Sequence, residues 1–355
     1  MRLQGLSFVG VVAILFLSAV AQTNPVREHF DHASVLYDWV TNSRGEKLRT
    51  FTTRPGNPSG KVPVIFFVGW LSCDSMEYSD ANTQDGFGIF LRRLIDQSGY
   101  ATVRMDKPGV GESQGDCSKA DFESEMSGWQ AAFDAMSKYD FIDQDRVFVV
   151  GLSNGGGFSP SVVRNRLSLD KSVRGFISCG SWGRTWYEHM LELERRRLME
   201  EKKSPAEVNT SVNAFVEFYT LYLMKGMTPG QVIAQHPEWK SLWYDTPDGQ
   251  YGRPASFYQQ LQALNLGEVW QNVQAPVLVI RGTADTIMSR LDGEAIVQIV
   301  NQAHAGHARY LEIDGMTHGM TVNNKFYDPL VPTVLDWMKE SSRRSREEFS
   351  VPSSQ

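Results

Sequence analysis

Six short, nearly all-apolar runs separated by helical patterns constrain this chain more than any other feature. They lie at 62–68, 100–105, 146–150, 173–179, 275–280 and 309–313. A strand reads as continuously apolar when both of its faces are covered, the situation of a parallel sheet. Apolar residues at helical spacing fill 87–97, 122–139, 158–169, 293–302 and 326–339, between most of the runs. Strand alternating with helix predicts an α/β domain built on a mostly parallel, doubly wound sheet. An antiparallel hairpin, 35–40 and 47–53 around an Asn-Ser-Arg-Gly turn, opens the series and brings the expected sheet to about eight strands.

The rhythm breaks once. Between 180 and 274 stand a charged helical stretch (187–203), an aromatic one (208–227), a loop-like region (236–253) and a further helical piece (256–266), with no good strand candidate. A connection of that length inside a compact domain has its own structure and usually a function. We read 183–270 as a helical cap inserted into a core made of 22–182 and 271–340; a second independent domain is the alternative. The polar, charged stretch 341–355 reads as a flexible tail.

The first residues fall outside this pattern. After Met1-Arg2 the chain carries no charge to Thr23, its centre is apolar, and Ala19-Val20-Ala21 precedes Gln22. A basic start, a short apolar run and a small-x-small ending predict a secretory signal peptide over about 1–21, hence a secreted or periplasmic protein with no stable membrane insertion after cleavage. An uncleaved anchor is the alternative, for which the run is slightly short. Removing the leader, which contributes only Arg2, moves the formal charge from −6 to −7. That acidic balance argues against nucleic-acid binding, which needs an excess of Lys and Arg to displace counterions. Three cysteines, Cys73, Cys117 and Cys179, are too few for a disulfide scaffold and have no CxxC spacing for zinc. No metal or organic cofactor is called for.

Chemistry concentrates behind the run 146–150. There stands Gly151-Leu-Ser153-Asn154-Gly155-Gly156-Gly157, a G-x-S-x-G pattern between a strand and a helix. A serine on such a sharp turn has a strained backbone, and its neighbours two positions away must be small for the packing to close. Of the seven histidines, only His318 follows a strand at the edge where ligands bind; His304 and His307 lie at the opposite edge, and His189 and His236 lie in the expected cap.

In these motifs the chain resembles the α/β-hydrolase family, over about 35–339. The resemblance implies Ser153 as nucleophile, Asp285 in the loop after the next-to-last strand as the acid, and His318 after the last strand as the base, in the family's chain order. Asp292 and Asp314 are rivals for the acid; Asp285 lies a few residues beyond its strand end, within reach of His318. The segment Asp106-Lys-Pro-Gly-Val-Gly-Glu-Ser113 is similar to the loop these enzymes carry after the fourth strand. The backbone N–H of Asn154 supplies one oxyanion donor. The loop after the third strand supplies the other: Val68-Gly69-Trp70-Leu71 lacks the His that commonly precedes the glycine, and Trp70 is the candidate with Leu71 in reserve. Leu71, Trp182 and Trp186 are candidates for the substrate pocket. The resemblance also puts Cys73 and Cys117 in adjacent loops at the catalytic edge, where a disulfide would pin them; Cys179 would be a buried strand thiol.

The implied activity is that of a secreted serine hydrolase acting on a small-molecule ester or a short peptide through an acyl-enzyme. A carboxylic-ester hydrolase is the first reading and a serine exopeptidase or amidase the second; the latter needs a cap carboxylate for a free amine, and Glu188, Glu192 and Glu194 are available. A non-catalytic binding protein on the same scaffold is the third.

Overall fold

The computed structural model describes residues 26–56, 58–163 and 173–350, with backbone only for 344–350. The expected leader (1–21) lies outside the described residues. In chain order the elements are β1 (Ala33–Thr41), β2 (Lys47–Pro55), β3 (Val62–Val68), α1 (Gly86–Ser98), β4 (Ala101–Met105), α2 (Phe122–Ala135), β5 (Ile142–Leu152), α3 (Asn154–Val163) and β6 (Val173–Cys179). After β6 come α4 (Trp186–Glu200), α5 (Pro205–Tyr219), α6 (Pro229–Gln235), the short pair β7 (Gly249–Gln250) and β8 (Arg253–Pro254), α7 (Ala255–Gln262) and α8 (Leu266–Gln271). The chain then returns through β9 (Val277–Gly282), α9 (Arg290–Ala303), β10 (Ala308–Ile313), the pair β11 (Thr321–Val322) and β12 (Lys325–Phe326), and α10 (Leu330–Ser350).

The main sheet has eight strands in the order β1-β2-β4-β3-β5-β6-β9-β10. β1, β2 and β4 pair antiparallel, and the remaining neighbours are parallel. The apolar runs are strands because they are covered twice: α1 packs with α10, while α2, α3, α8 and α9 form a second contiguous layer. Every residue of β4 and β9 is buried. β3 leads left to β4 and β5 leads right to β6, so strand order reverses between β3 and β5. In such sheets the crevice at the carboxyl ends beside the reversal is where ligands bind.

Several element boundaries differ from the sequence reading, and two of them have a local cause. α3 starts at Asn154 rather than 158, because its glycines score poorly as helix formers yet are the only residues that fit there. α10 starts at Leu330 rather than 326, since Pro329 disfavours helix in the residue before it. It continues to Ser350, so the start of the stretch expected as flexible tail is helical.

The segment between β6 and β9 is mostly helical, as its periodicity suggested. Capping boxes start α4 (Thr185 with Glu188) and α5 (Ser204 with Glu207). One apolar cluster contains both sheet residues and Trp186, Phe215, Tyr222 and Phe257 from this segment. Among the described residues no helix is long and apolar enough to cross a membrane.

A buried ion pair ties the segment before β1 to the sheet. Arg104 in β4 donates from Nη1 and Nη2 to the two oxygens of Glu28, each at 2.7 Å, with both side chains fully buried. Removing one partner of such a pair strands the other charge. Glu28→Ala is therefore expected to lower stability by about 3–5 kcal/mol in urea unfolding. The double variant Glu28→Leu, Arg104→Met should recover a large part of that loss. Equal unfolding midpoints for the wild type and Glu28→Ala would remove the pair from the stability argument.

Candidate active site

Three loops at the carboxyl edge of the sheet bring together residues far apart in sequence. Ser153 joins β5 directly to α3 with φ 53°, a left-handed backbone that a non-glycine residue adopts at a cost of about 1–3 kcal/mol. The turn closes only because its neighbours lack side chains. A Cβ on Gly151 would lie 2.4 Å from the Cα of Gly156, and one on Gly155 would lie 2.2 Å from the carbonyl oxygen of Gly69. The Ser153 N–H donates to the Cys179 carbonyl at 2.9 Å, fixing the elbow to β6.

His318, five residues past β10, lies with Nε2 2.9 Å from Ser153 Oγ and Nδ1 2.9 Å from Asp285 Oδ2. Asp285 Oδ1 accepts from the amides of Ile287 (2.9 Å) and Met288 (2.8 Å). Burial pushes the Asp285 carboxyl up, but the hydrogen bond and charge of His318 and the two amides outweigh it and hold the group below its ordinary value. The rivals are engaged elsewhere: Asp314 accepts from Thr283 at 3.1 Å, and Asp292 is bonded to Arg184, His189 and Ser289.

The loop after β3 runs beside the elbow, within the close approach of Gly155 to Gly69. No group among the described residues accepts the N–H of Trp70 or of Asn154. The carbonyls of this loop, by contrast, are held by two buried cations. Lys107 Nζ donates to the carbonyls of Trp70 (2.7 Å) and Ser72. Arg253 in β8 donates to the carbonyls of Leu71 and Cys117, each at 3.2 Å, and pairs with Glu125 of α2 at 2.5 Å. The Cys73–Cys117 disulfide joins the same two loops covalently. Burial pulls the Lys107 ammonium down to about 8, against the opposing attraction of Glu125.

A cavity of about 600 Å³ opens over Ser153 and His318. Trp70, Leu71, Phe87, Trp186, Leu193, Ile287 and Met288 make most of it apolar, and Asp74 and Asp85, both exposed, stand among its lining residues. Phe87 stacks on Trp70 (centroids 5.3 Å apart) and meets His318 edge-on at 5.8 Å. Trp182, expected in the pocket, is not part of its lining. It is fully buried against α3, where its indole N–H donates to the Asn154 carbonyl at 3.0 Å and a Cβ on Gly157 would lie 2.4 Å away. Its place under the first turn of α3 makes it a support for the elbow. The cap carboxylates considered for an amine do not line the cavity either: Glu188 caps α4, while Glu192 and Glu194 pair with Arg196 and Arg197. Lys107, Arg253, His189 and Phe87 were not singled out from sequence. For Lys107 the signal was present, a lysine inside the Asp106–Ser113 motif; for the others, nothing local marks them. Among the described residues no group of His, Cys, Asp and Glu is arranged to hold a metal ion.

A family model described as serine aminopeptidase, S33, within the hydrolases, matches residues 90–325. No curated protein matches the sequence. Among solved structures the chain is similar to Est1E from Butyrivibrio proteoclasticus with ferulic acid bound, at 17% identity and TM-score 0.55, covering 87% of this chain and 99% of that one. It is similar to acetyl xylan esterase 1 from Thermoanaerobacterium at 16% identity and TM-score 0.53, covering 88% and 85%. Proline iminopeptidase from Mycobacterium smegmatis gives 16% and 0.54, covering 87% and 100%. At these identities the likeness speaks for the fold.

The remaining thiol, Cys179, is the last residue of β6 and is buried. Burial, with a smaller push from the Asp285 carboxylate, raises it to about 12. Since the thiolate is the reactive form, native protein is expected to show no reaction with a disulfide reagent at pH 8. One thiol should appear after unfolding without reductant. Rapid native labelling of Cys179 would show that the elbow opens to solvent.

Proposed function

The chain belongs to the serine aminopeptidase S33 family of α/β-hydrolases, and from that premise we propose that it is an exported serine hydrolase that cleaves carboxylic esters. The observation that carries the reading is the unbroken run of hydrogen bonds from Ser153 through His318 to Asp285 at the floor of an apolar cavity. In this reading His318 Nε2 takes the proton of Ser153 Oγ as the oxygen attacks the substrate carbonyl. Asp285 keeps Nδ1 protonated and stabilises the imidazolium that forms. The N–H groups of Trp70 and Asn154 receive the oxyanion. The proton then passes to the leaving alcohol, an acyl-enzyme remains on Ser153, and water releases the acid by the same steps in reverse. The helices between β6 and β9 act as a cap over this cleft, and export through the 1–21 leader suits a protein with a disulfide beside its active site.

An ester is favoured over a peptide by the lining. An exopeptidase needs a carboxylate to hold a free amine, and Glu188, Glu192 and Glu194 stand outside the cavity lining, although Glu194 Oε1 is buried without a partner among the described residues. One observation favours the second reading: Asp74 and Asp85 line the cavity and are exposed, although Asp85 also caps α1 and accepts from Tyr78 at 2.6 Å.

A fluorophosphonate probe is expected to label the wild type and not Ser153→Ala; equal labelling would leave the non-catalytic reading standing. His318→Ala is expected to lower kcat by roughly four to six orders of magnitude. On a panel of p-nitrophenyl esters and aminoacyl anilides, turnover of esters should dominate, and fast anilide with slow ester turnover would make the protein a peptidase. The oxyanion loop adds a pH signature. Lys107 must be charged to hold two carbonyls strongly, so kcat should fall as pH rises through about 8. Lys107→Arg, which stays charged, should lack that fall; an unchanged alkaline limb would assign it to another group.

A further inference from the structure

The cavity contains a second histidine bound to a second aspartate. On α4, Trp186, His189 and Leu193 follow one another at helical spacing and line the cavity. His189 Nδ1 lies 3.2 Å from Asp292 Oδ2, and Asp292 is held in the first turn of α9 by Ser289, the helix N-cap, whose Oγ accepts from the Asp292 amide at 3.2 Å and donates to Oδ2 at 3.1 Å. Arg184 donates to the other Asp292 oxygen at 3.0 Å. Burial works against the Asp292 carboxylate, yet His189 and Arg184 more than offset it and hold the group well below its ordinary value.

That arrangement fixes the imidazole. With Nδ1 committed to a carboxylate, the neutral ring presents Nε2 as a lone-pair acceptor. The Trp186 ring, 4.9 Å away and tilted 39°, restricts its rotation. His189 is only 2% exposed, and its Nε2 has no hydrogen-bond partner among the described residues. The atom nonetheless is not sealed in the protein interior, and the cavity is the space its side chain lines. An unpartnered polar atom on a residue that lines an apolar cavity discriminates among ligands, because only a ligand with the complementary group satisfies it.

We propose that His189 is a specificity-determining residue whose Nε2 accepts a hydrogen bond from a hydroxyl, alcoholic or phenolic, carried by the substrate. The proposal rests on the reading of the cavity as an ester-hydrolysing site. The lining selects a neutral donor over an anion, for among the described residues no Lys or Arg lines the cavity while Asp74 and Asp85 do. The apolar walls of Trp70, Phe87, Trp186 and Leu193 suit a largely hydrocarbon or aromatic body bearing that one polar group.

The test uses matched pairs of p-nitrophenyl esters that differ by one hydroxyl, placed at successive positions along an aryl-alkanoyl chain. For at least one position, wild-type kcat/KM for the hydroxylated ester should exceed that for its deoxy partner roughly ten- to a hundredfold. His189→Phe should bring that ratio to about one, and His189→Gln, whose amide oxygen restores an acceptor, should recover part of it. The ratio does not depend on the fraction of enzyme folded, so a destabilised variant remains informative. If no position shows a preference, or if the preference survives His189→Phe, the proposal is overturned. A preference for amine-bearing over hydroxylated esters, lost in the same variant, overturns it in favour of an ammonium ligand. Failure of the underlying reading looks different: neither member of any pair is turned over, and Ser153 takes no fluorophosphonate.

Discussion

The left-handed backbone at Ser153 is the constraint from which the rest of the site follows. A serine at φ 53° stores strain that only surrounding packing can hold. Here the packing is backbone against backbone: Gly151 on Gly156, and Gly155 on the carbonyls of Val68 and Gly69. Side chains at those positions would push α3 away from β3 and β5. The close approach has a second consequence, because it brings the loop after β3 alongside the serine. Ser153 and the loop after β3 are thus positioned by one packing event at the point where strand order reverses.

A loop placed that way needs something to decide where its amides point. Three successive carbonyls, of Trp70, Leu71 and Ser72, are taken by Lys107 and Arg253. Both cations are buried, a costly arrangement that is tolerable because Glu125 supplies charge and each donor finds an acceptor. Each held carbonyl fixes its own peptide plane, and together the three set the path of the loop just beyond Trp70. Arg253 belongs to the segment between β6 and β9, so this segment helps shape the loop after β3 as well as the cavity wall.

Much of this was legible in the sequence because it repeats or because it is local. Apolar runs alternating with helical patterns mark β3 to β6 and β9, which need two covered faces, and also the partly buried edge strand β10. The elbow glycines are forced by steric contact within a few residues of Ser153. His318 and Asp285 could be found by where they stand after strands. What escaped depends on long-range packing. Trp182 is as apolar and aromatic as Trp186, yet one supports α3 and the other faces the cavity, and the difference is set by the turn that separates them before α4 begins. Lys107 looks like a surface lysine until β4 buries it. Glu188, Glu192 and Glu194 carry the right charge for an amine, but the helix periodicity that groups them turns them to capping and to neighbouring arginines.

Two Asp–His pairs in one cavity show how little the pair itself determines. Asp285 with His318 and Asp292 with His189 have the same atoms in the same contact, Nδ1 to a buried carboxylate. In each, the carboxylate fixes the ring and leaves Nε2 to act. The outcome is decided by what Nε2 meets. For His318 it is Ser153 Oγ at 2.9 Å, whose proton it can accept and return. For His189, which lines the cavity, no nucleophile among the described residues bonds to Nε2, and in the proposal above its lone pair is left to the ligand. The Arg184 beside Asp292 sharpens the difference, since Asp285 has only amides and His318 around it. A carboxylate that also holds a guanidinium and the Ser289 hydroxyl fixes its histidine in place, and with no protein nucleophile at Nε2 among the described residues that ring is set to bind rather than to shuttle a proton.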